Sequence, residues 1–216
     1  MRLQSAIFDM DGTLLDSMGI WNEVGAGLLR AQGIEPEPDY WDQIKTMTLH
    51  QGAAYCKEHY GLPQSVEEIA AMTEARVDRF YRSEVQAKPG VKQFLSLLKM
   101  EGVWMYVATA TDRHLAEAAL RHAGILEYFR GILTCSDVGQ GKDSPEIYER
   151  AMIRLRSNKR DTVVFEDALH AIRTAKAAGF RVAGVYDPSA EEDQEAIEAL
   201  SDYYIRSFEE MFQTQT

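Results

Sequence analysis

The chain has few of the features that would place it in a specialised class of protein. It has only two cysteines among 216 residues. Cys56 and Cys135 lie far apart and lack metal-ligand spacing, so we expect reduced core thiols in a reducing compartment. No long apolar run and no leader pattern is present, which predicts a cytoplasmic protein without a membrane segment. Repeats and low-complexity tracts are absent as well.

Positive charge is also scarce. Lysine and arginine number 23 against 34 acidic residues, which gives a formal net charge of -11. An acidic surface argues against partners such as nucleic acid and anionic membranes. It does not argue against a small anionic substrate, because a local pocket can be positive on a negative protein. The length is sufficient to bury a sizeable core in one large domain or two small ones.

The most informative stretch comprises residues 6–13. The apolar run from Ala6 to Phe8 predicts a buried strand, and Asp9 and Asp11 follow it. If the strand geometry persists, residues two apart face the same side. Two neighbouring carboxylates raise each other's proton affinity unless a cation lies between them. The stretch therefore predicts a bound metal or a protonated carboxyl, although a capped turn is the simpler explanation of an isolated Asp-x-Asp.

The pattern of the remaining chain predicts an α/β fold with an insertion. Helical periodicity extends from about residue 16 to residue 81, which is too long for a simple crossover between strands. Strands and helices then alternate, with predicted strands at 103–108, 131–135, 162–165, 180–185 and, at an edge, 202–205. Their continuous apolar runs are typical of a parallel sheet that is buried on both faces. We therefore predict a Rossmann-like, doubly wound, mainly parallel sheet with helices on both faces (residues 1–15 and 89–216) and an inserted helical cap domain (residues 16–88).

Polar residues follow four of the predicted strands, at the carboxyl ends where such sheets bind ligands. All-oxygen carboxylate clusters suit a hard cation, and Mg²⁺ is the usual one beside phosphate. A lysine and a threonine could hold the remaining phosphate oxygens. Each residue alone has a local structural explanation, but their convergence at one end of a sheet predicts a shared site. The residues are Asp9, Asp11, Thr109, Lys142, Glu166 and Asp167.

Four motifs resemble those of the haloacid dehalogenase superfamily, in matching order and spacing across the whole chain. The first begins at Phe8-Asp9-Met10-Asp11-Gly12-Thr13 and is highly specific. The second is Thr109-Ala110-Thr111, the third is Gly141-Lys142-Asp143-Ser144-Pro145-Glu146-Ile147-Tyr148, and the fourth is Phe165-Glu166-Asp167. The helical insert is similar to the cap of the β-phosphoglucomutase and sugar-phosphatase branch.

The resemblance implies a role for each motif residue. Asp9 would attack phosphorus and form an aspartyl phosphate. Asp11 would protonate the leaving oxygen and later deprotonate water, and its presence argues against the dehalogenases themselves, which lack this second aspartate. Thr109, the backbone N–H of Ala110 and Lys142 would hold the phosphoryl oxygens. Mg²⁺ would bind Asp9, the backbone carbonyl of Asp11, Asp167 and, directly or through water, Glu166.

The function implied is hydrolysis of a small phosphorylated metabolite, most consistent with a sugar phosphate, by a monomer or homodimer. One alternative is a phosphomutase that isomerises a hexose phosphate. Trp21 stands where the mutases carry a histidine, and Asp112-Arg113 stands where they carry a lysine-asparagine pair, so both departures weaken that alternative. Another alternative is a non-catalytic binding or regulatory protein on the same scaffold, although such a protein has no chemical need for the complete set of site residues.

Substrate selection is assigned by analogy to the cap. The stretch from residue 45 to residue 51 is the expected reading segment, with Lys45 and His50 as its foremost candidates. Trp21 is a third candidate, for which packing between cap and core is an equally good explanation. Solvated helix ends explain Lys45 and His50 about as well.

Overall fold

The computed structural model of the chain describes residues 3–44, 47 and 49–215, without the side chains of residues 21, 22, 42 and 212–215. It divides into two units. The sheet unit comprises Met1–Asp16 and Val85–Thr216, and the helical unit comprises Ser17–Glu84. Asp16 and residues 85–88, which the sequence analysis assigned to the helical insert, belong to the sheet unit.

The strands of the described residues form one large sheet and one small one. They are β1 (Ser5–Phe8), β2 (Leu15–Asp16), β3 (Gln86–Ala87), β4 (Trp104–Thr109), β5 (Ile132–Thr134), β6 (Thr162–Glu166), β7 (Arg181–Val185) and β8 (Tyr203–Ile205). The large sheet has the order β5-β4-β1-β6-β7-β8, and its neighbours are all parallel. The Rossmann-like parallel sheet predicted from the sequence is thereby confirmed.

The helices divide between the two units. The helical unit holds α1 (Met18–Ala31), α2 (Tyr40–Ile44), α3 (Leu49–Tyr60) and α4 (Val66–Ser83). The sheet unit holds α5 (Val91–Met100), α6 (Arg113–His122), α7 (Cys135–Val138), α8 (Glu146–Arg154), α9 (Leu169–Ala177) and α10 (Gln194–Leu200). Short 3-10 segments cover Leu126–Tyr128, Lys159–Asp161, Pro188–Asp193 and Phe208–Gln215. Among the described helices, none combines the length and the apolar character that crossing a bilayer requires.

Strand β1 is central because both of its faces are covered. Phe8 stacks on Phe165 of β6 with ring centroids 4.3 Å apart, and its edge meets Phe94 of α5. Ile7, the preceding residue, belongs to a different cluster that includes Tyr148 of α8 and Ile172 of α9. Successive side chains thus pack against opposite layers of helices, as alternation along a strand requires. The apolar run that predicted a buried strand is explained by this double coverage.

The helical unit has its own apolar core. Leu29, Ala53, Cys56 and Ile69 are among the buried side chains where α1, α3 and α4 meet. Helix α4 begins with a capping box, in which the Ser65 hydroxyl accepts a hydrogen bond from the Glu68 N–H at 3.1 Å, and the Glu68 carboxylate accepts one from the Ser65 N–H at 2.7 Å. Such a cap stabilises a helix by about 1 kcal/mol.

The two chain segments that lead to and from the helical unit run side by side. Leu15 pairs with Ala87 and Asp16 with Gln86, so that β2 and β3 form an antiparallel pair within the sheet unit. The backbone N–H of Lys88 donates to the Leu14 carbonyl at 2.9 Å. The ammonium of Lys88 lies 2.8 Å from the buried carboxylate of Asp187, beyond the end of β7. This pairing is the reason that residues 85–88 group with the sheet.

Candidate active site

The site begins where β1 ends. Asp9 extends the ladder one residue beyond β1, since its N–H donates to the Phe165 carbonyl at 2.9 Å. The chain then turns, and the Met10 carbonyl accepts hydrogen bonds from the N–H groups of both Leu14 and Leu15 at 2.9 Å. Gly12 in this turn has a φ of 79°, a value that side chains with a Cβ disfavour. The turn fixes where the two aspartates of the first motif lie.

Three carboxylates converge at the adjoining ends of β1 and β6. Asp9, Glu166 and Asp167 each contribute one oxygen, and these oxygens lie within 4.8 Å of one another. All three residues are almost completely buried, with exposed fractions of 6%, 0% and 4%. Because β1 and β6 are parallel neighbours, their carboxyl ends meet at one edge of the sheet. The sequence analysis predicted a metal site from carboxylates at the strand ends, and these three carboxylates belong to that predicted set.

Lys142 lies among these carboxylates. It follows α7 in a loop before α8, and its ammonium donates to Asp9 Oδ1 and, at 2.6 Å, to Glu166 Oε1. Burial acts to lower the pKa of Lys142, but attraction to Asp9 and Glu166 outweighs burial and holds the pKa above its usual value. Lys142 is therefore charged, and it bridges two carboxylates that come from different strands.

One ammonium does not neutralise three buried carboxylates. Burial raises the pKa of Asp9 to about 6, against the opposing influence of Lys142. Burial, followed by repulsion from Asp9 and Glu166, raises the pKa of Asp167 well above its usual value. Glu166 Oε2 is buried and has no hydrogen-bond partner among the described residues. These observations fit a missing positive charge, and an all-oxygen donor set suits a hard divalent cation.

The Asp11 side chain has a different environment. It is only half-buried, and its Oδ2 accepts a hydrogen bond of 2.6 Å from the Thr111 hydroxyl after β4. The structure therefore does not place the Asp11 carboxylate among the three that converge, although Asp9 and Asp11 lie in the same turn. The Asp11 side chain thus contacts the residues that follow β4.

The second motif is built on β4. Thr109 is the last residue of β4 and is buried, and its hydroxyl accepts a hydrogen bond of 3.0 Å from the Thr111 N–H. Ala110 follows at the exposed strand end. Since β4 and β1 are parallel neighbours, Thr109 and Asp11 belong to adjoining strand ends.

Two further residues of the site carry no predicted role in the sequence. The Thr13 hydroxyl donates to Asp167 Oδ1 at 2.7 Å, and the Tyr148 hydroxyl donates to Glu166 Oε1 at 2.8 Å. Both are fully buried. Each lies within a motif that the sequence analysis quoted, but its partner lies in another motif. Motif membership was the signal that could have identified them, whereas spacing along the chain could not give the pairing.

The proposed substrate-selecting residues lie in the helical unit. His50 is exposed in the first turn of α3, and Trp21 lies in α1 with its side chain outside the description. Lys45 lies outside the described residues. The unit also contains an apolar cavity of about 360 Å³, lined in part by Met47 and Leu49. The role of Lys45, His50 and Trp21 in selecting a substrate stays a prediction.

Comparison with known proteins supports the resemblance of the four motifs to the haloacid dehalogenase superfamily. The family described as "Hydrolase: haloacid dehalogenase-like hydrolase" matches residues 3–179. A phosphorylated carbohydrates phosphatase of Thermotoga maritima is 28% identical over 184 residues, which cover 85% of each protein. A validoxylamine A 7'-phosphate phosphatase of Streptomyces hygroscopicus subsp. limoneus is 31% identical over 182 residues, covering 83% of this chain and 84% of the relative.

Solved structures agree with the sequence relatives. A candidate β-phosphoglucomutase of Thermotoga maritima superposes with a TM-score of 0.83 at 26% identity, covering 96% of each chain. CbbY of Rhodobacter sphaeroides, in complex with phosphate, superposes with a TM-score of 0.76 at 25% identity, covering 97% of this chain and 96% of that protein. Phosphatases and a candidate mutase thus both occur among the similar proteins.

Proposed function

The chain belongs to the haloacid dehalogenase-like hydrolase family, and from that premise we propose that it is a Mg²⁺-dependent phosphatase of small phosphate monoesters. The proposed substrate is a phosphorylated sugar or polyol, and the Thermotoga maritima relative is named as a phosphatase of phosphorylated carbohydrates. The observation that carries the proposal is the buried cluster of Asp9, Glu166 and Asp167 with Lys142. Such a cluster has the charges that phosphoryl transfer requires, which are a nucleophilic carboxylate, an ammonium and the donors for a cation.

In the proposed reaction Asp9 is the nucleophile. One of its carboxylate oxygens forms a bond to phosphorus while the bond between phosphorus and the ester oxygen breaks. Asp11 gives a proton to that leaving oxygen and then accepts a proton from the water that releases phosphate from Asp9. The half-buried position of Asp11, with the Thr111 hydroxyl on one oxygen, suits a group that must exchange protons with a leaving alcohol and with water.

The remaining residues serve the charge of the phosphoryl group. Lys142, Thr109 and the Ala110 N–H are proposed to hold its oxygens, in the manner of a positioned electrostatic clamp. Asp9, Glu166, Asp167 and the backbone carbonyl of Asp11 are proposed to hold Mg²⁺. When bound, Mg²⁺ supplies positive charge to the phosphoryl oxygens and to the three carboxylates.

Removal of divalent metal should abolish activity. We expect the purified chain to release phosphate from at least one member of a panel of sugar phosphates, nucleotides and phosphoglycolate in the presence of Mg²⁺. EDTA should suppress this release to background and excess Mg²⁺ should restore it, because Lys142 alone does not neutralise three buried carboxylates, and the remaining negative charge repels an incoming phosphate. The measurement is inorganic phosphate released against time.

Two outcomes would contradict that expectation. Full turnover in EDTA would show that the reaction does not require a divalent metal. Dependence on Zn²⁺ alone would also contradict it, since the carboxylate cluster contains neither histidine nor cysteine. An absence of turnover on the entire panel, together with tight binding of phosphate esters, would favour the alternative of a non-catalytic binding protein.

The product separates a phosphatase from a mutase. With Trp21 where the mutases carry a histidine, we expect a hexose phosphate to yield free sugar and inorganic phosphate in equal amounts. The measurements are ³¹P NMR for the phosphate species and ¹H NMR for the free sugar, with and without a catalytic amount of hexose bisphosphate. Clean conversion of the 1-phosphate to the 6-phosphate, primed by the bisphosphate and with little free phosphate, would instead assign the mutase reaction.

A further inference from the structure

We propose that Tyr148 is a positioning residue that fixes the Glu166 carboxylate for the cation, an inference that rests on the proposed metal dependence. Tyr148 lies in the first turn of α8 and is fully buried. Its hydroxyl donates to Glu166 Oε1 at 2.8 Å, and Lys142 donates to the same oxygen at 2.6 Å. Two donors therefore hold one oxygen of Glu166, while its buried Oε2 has no partner among the described residues.

The hydroxyl of Tyr148 is not required for packing. The ring lies in the apolar cluster of α8, α9 and the sheet, with its edge toward Phe180 at a centroid separation of 6.3 Å. A phenylalanine would fill the same space without introducing a polar atom. A buried hydroxyl lowers stability unless it is hydrogen-bonded, and the structure gives this hydroxyl a carboxylate as its partner. We infer that the contact with Glu166 is the physical role of the oxygen.

Tyr148 is a donor throughout the physiological pH range. A phenol has an ordinary pKa of about 10, and the Tyr148 hydroxyl donates its proton to the Glu166 carboxylate in the structure. The phenol thus keeps its proton. A neutral donor of this kind orients the carboxylate without adding a positive charge that would repel a bound cation.

Tyr148 also separates the tasks of Glu166 and Lys142. Lys142 contacts both Asp9 and Glu166, so a Glu166 held by lysine alone would follow every movement of that ammonium. The second donor, on a different element, keeps Glu166 in place when Lys142 turns toward a phosphoryl oxygen. Donors that orient a metal-binding side chain from behind typically contribute 10–100-fold in metal affinity.

The test is calorimetric titration of the purified 216-residue chain with Mg²⁺ alone. Tyr148→Phe should bind Mg²⁺ roughly tenfold more weakly than the wild type. Tyr106→Phe is the matched control, because Tyr106 is another buried tyrosine of the same apolar cluster, and it should bind like the wild type. In turnover assays at saturating Mg²⁺, Tyr148→Phe should retain the KM of the wild type for the phosphate ester.

A double-mutant cycle identifies Glu166 as the mediator. In a Glu166→Gln background, Tyr148→Phe should cause no further loss of Mg²⁺ affinity, whereas a merely structural effect of the tyrosine would persist. If Tyr148→Phe does not fold, Tyr148→Met replaces it, since methionine adapts to irregular apolar space and also lacks the hydroxyl. Circular dichroism of each variant reports whether it folds.

The outcomes separate this inference from the proposed function. A wild type that binds no Mg²⁺ would overturn the metal dependence and, with it, the role of Tyr148. A wild type that binds Mg²⁺ while Tyr148→Phe binds equally well would overturn the positioning role alone. A loss of equal size in Tyr148→Phe and Tyr106→Phe would also overturn it, because the loss would then reflect the core and not Glu166.

Discussion

Asp11→Asn should accumulate a phosphorylated enzyme that Asp9→Asn cannot form. The first variant keeps the nucleophile but loses the proton donor, and general acid–base assistance is typically worth ~10²–10⁴-fold. An activated aryl phosphate has a leaving group that needs no proton, so it should still phosphorylate Asp9. The second step needs a water that Asp11 deprotonates, and the adduct should therefore persist. The second variant lacks the attacking oxygen and should show no adduct.

The measurement is intact-mass spectrometry after a rapid acid quench of each variant, followed by peptide mapping of the phosphorylated residue. The wild type, treated in the same way, is the control for turnover faster than the quench. Thr111→Val is a matched variant, since Thr111 donates to Asp11 Oδ2 at 2.6 Å, and it should retain the shuttle with a lower rate. A phosphate adduct on Asp9→Asn would refute Asp9 as the nucleophile, and undiminished turnover of Asp11→Asn would refute the proton shuttle.

Lys142→Met should lose both activity and stability. Removal of the ammonium leaves Asp9 and Glu166 without the donor that they share in a buried site. Removal of one partner from a buried ion pair typically costs about 3–5 kcal/mol of folding free energy. Activity should fall by about 10²–10³-fold or more, by analogy with the loss of one preorganised donor to a developing charge. The measurements are urea unfolding in EDTA and phosphate release in Mg²⁺.

The control is Lys159→Met in the same unit. Lys159 contacts Glu149 at 2.6 Å, but both side chains are more than a third exposed, and surface pairs of this kind contribute about 0–1 kcal/mol. The two variants remove the same charge from the chain, so a difference between them reports burial. Equal and small losses of unfolding free energy would contradict the assignment of Lys142 as the counter-charge of the carboxylate cluster.

The sheet could be predicted from the sequence because its strands have a continuous apolar pattern. The error at one strand end is informative. The strand predicted over 162–165 extends to Glu166 in the structure. The prediction ended one residue early because a carboxylate interrupts the apolar pattern of a sequence even when it is fully buried. The buried Glu166 carboxylate accepts hydrogen bonds from Lys142 and Tyr148. These two residues belong to another motif, so the sequence around Glu166 does not reveal them.

Two other differences have local causes. The strand predicted over 131–135 ends at Thr134, because Thr134 and Asp137 form a capping box that starts α7. The Thr-x-x-Asp spacing was visible in the sequence and resembles the known signature of a helix start. Strands β2 and β3 were not predicted, because two-residue strands have no periodicity and each forms only through its pairing with the other.

The convergence of three carboxylates and Lys142 could be predicted from the sequence, whereas the hydrogen bonds among these residues and their neighbours could not. The order of strand ends predicted that Asp9, Lys142, Glu166 and Asp167 would lie at one edge of the sheet. The hydrogen bonds from Thr13 to Asp167 and from Tyr148 to Glu166 join segments that are remote in the chain. Such pairings depend on the register between strands and helices, which sequence spacing does not specify.

The antiparallel pair of β2 and β3 affects how the length of the inserted segment contributes to the free energy of folding. Its register holds Asp16 and Gln86 opposite each other, at the separation of neighbouring strands, about 5 Å. Residues 17–84 therefore form a loop whose two ends are held close together by this strand pair. The entropy lost on closing a flexible loop rises only logarithmically, by about 0.6 kcal/mol for each doubling of length. Insertions of very different size at this point would therefore change the free energy of folding of the sheet unit by little, so this segment can be lengthened or exchanged without changes to the sheet unit.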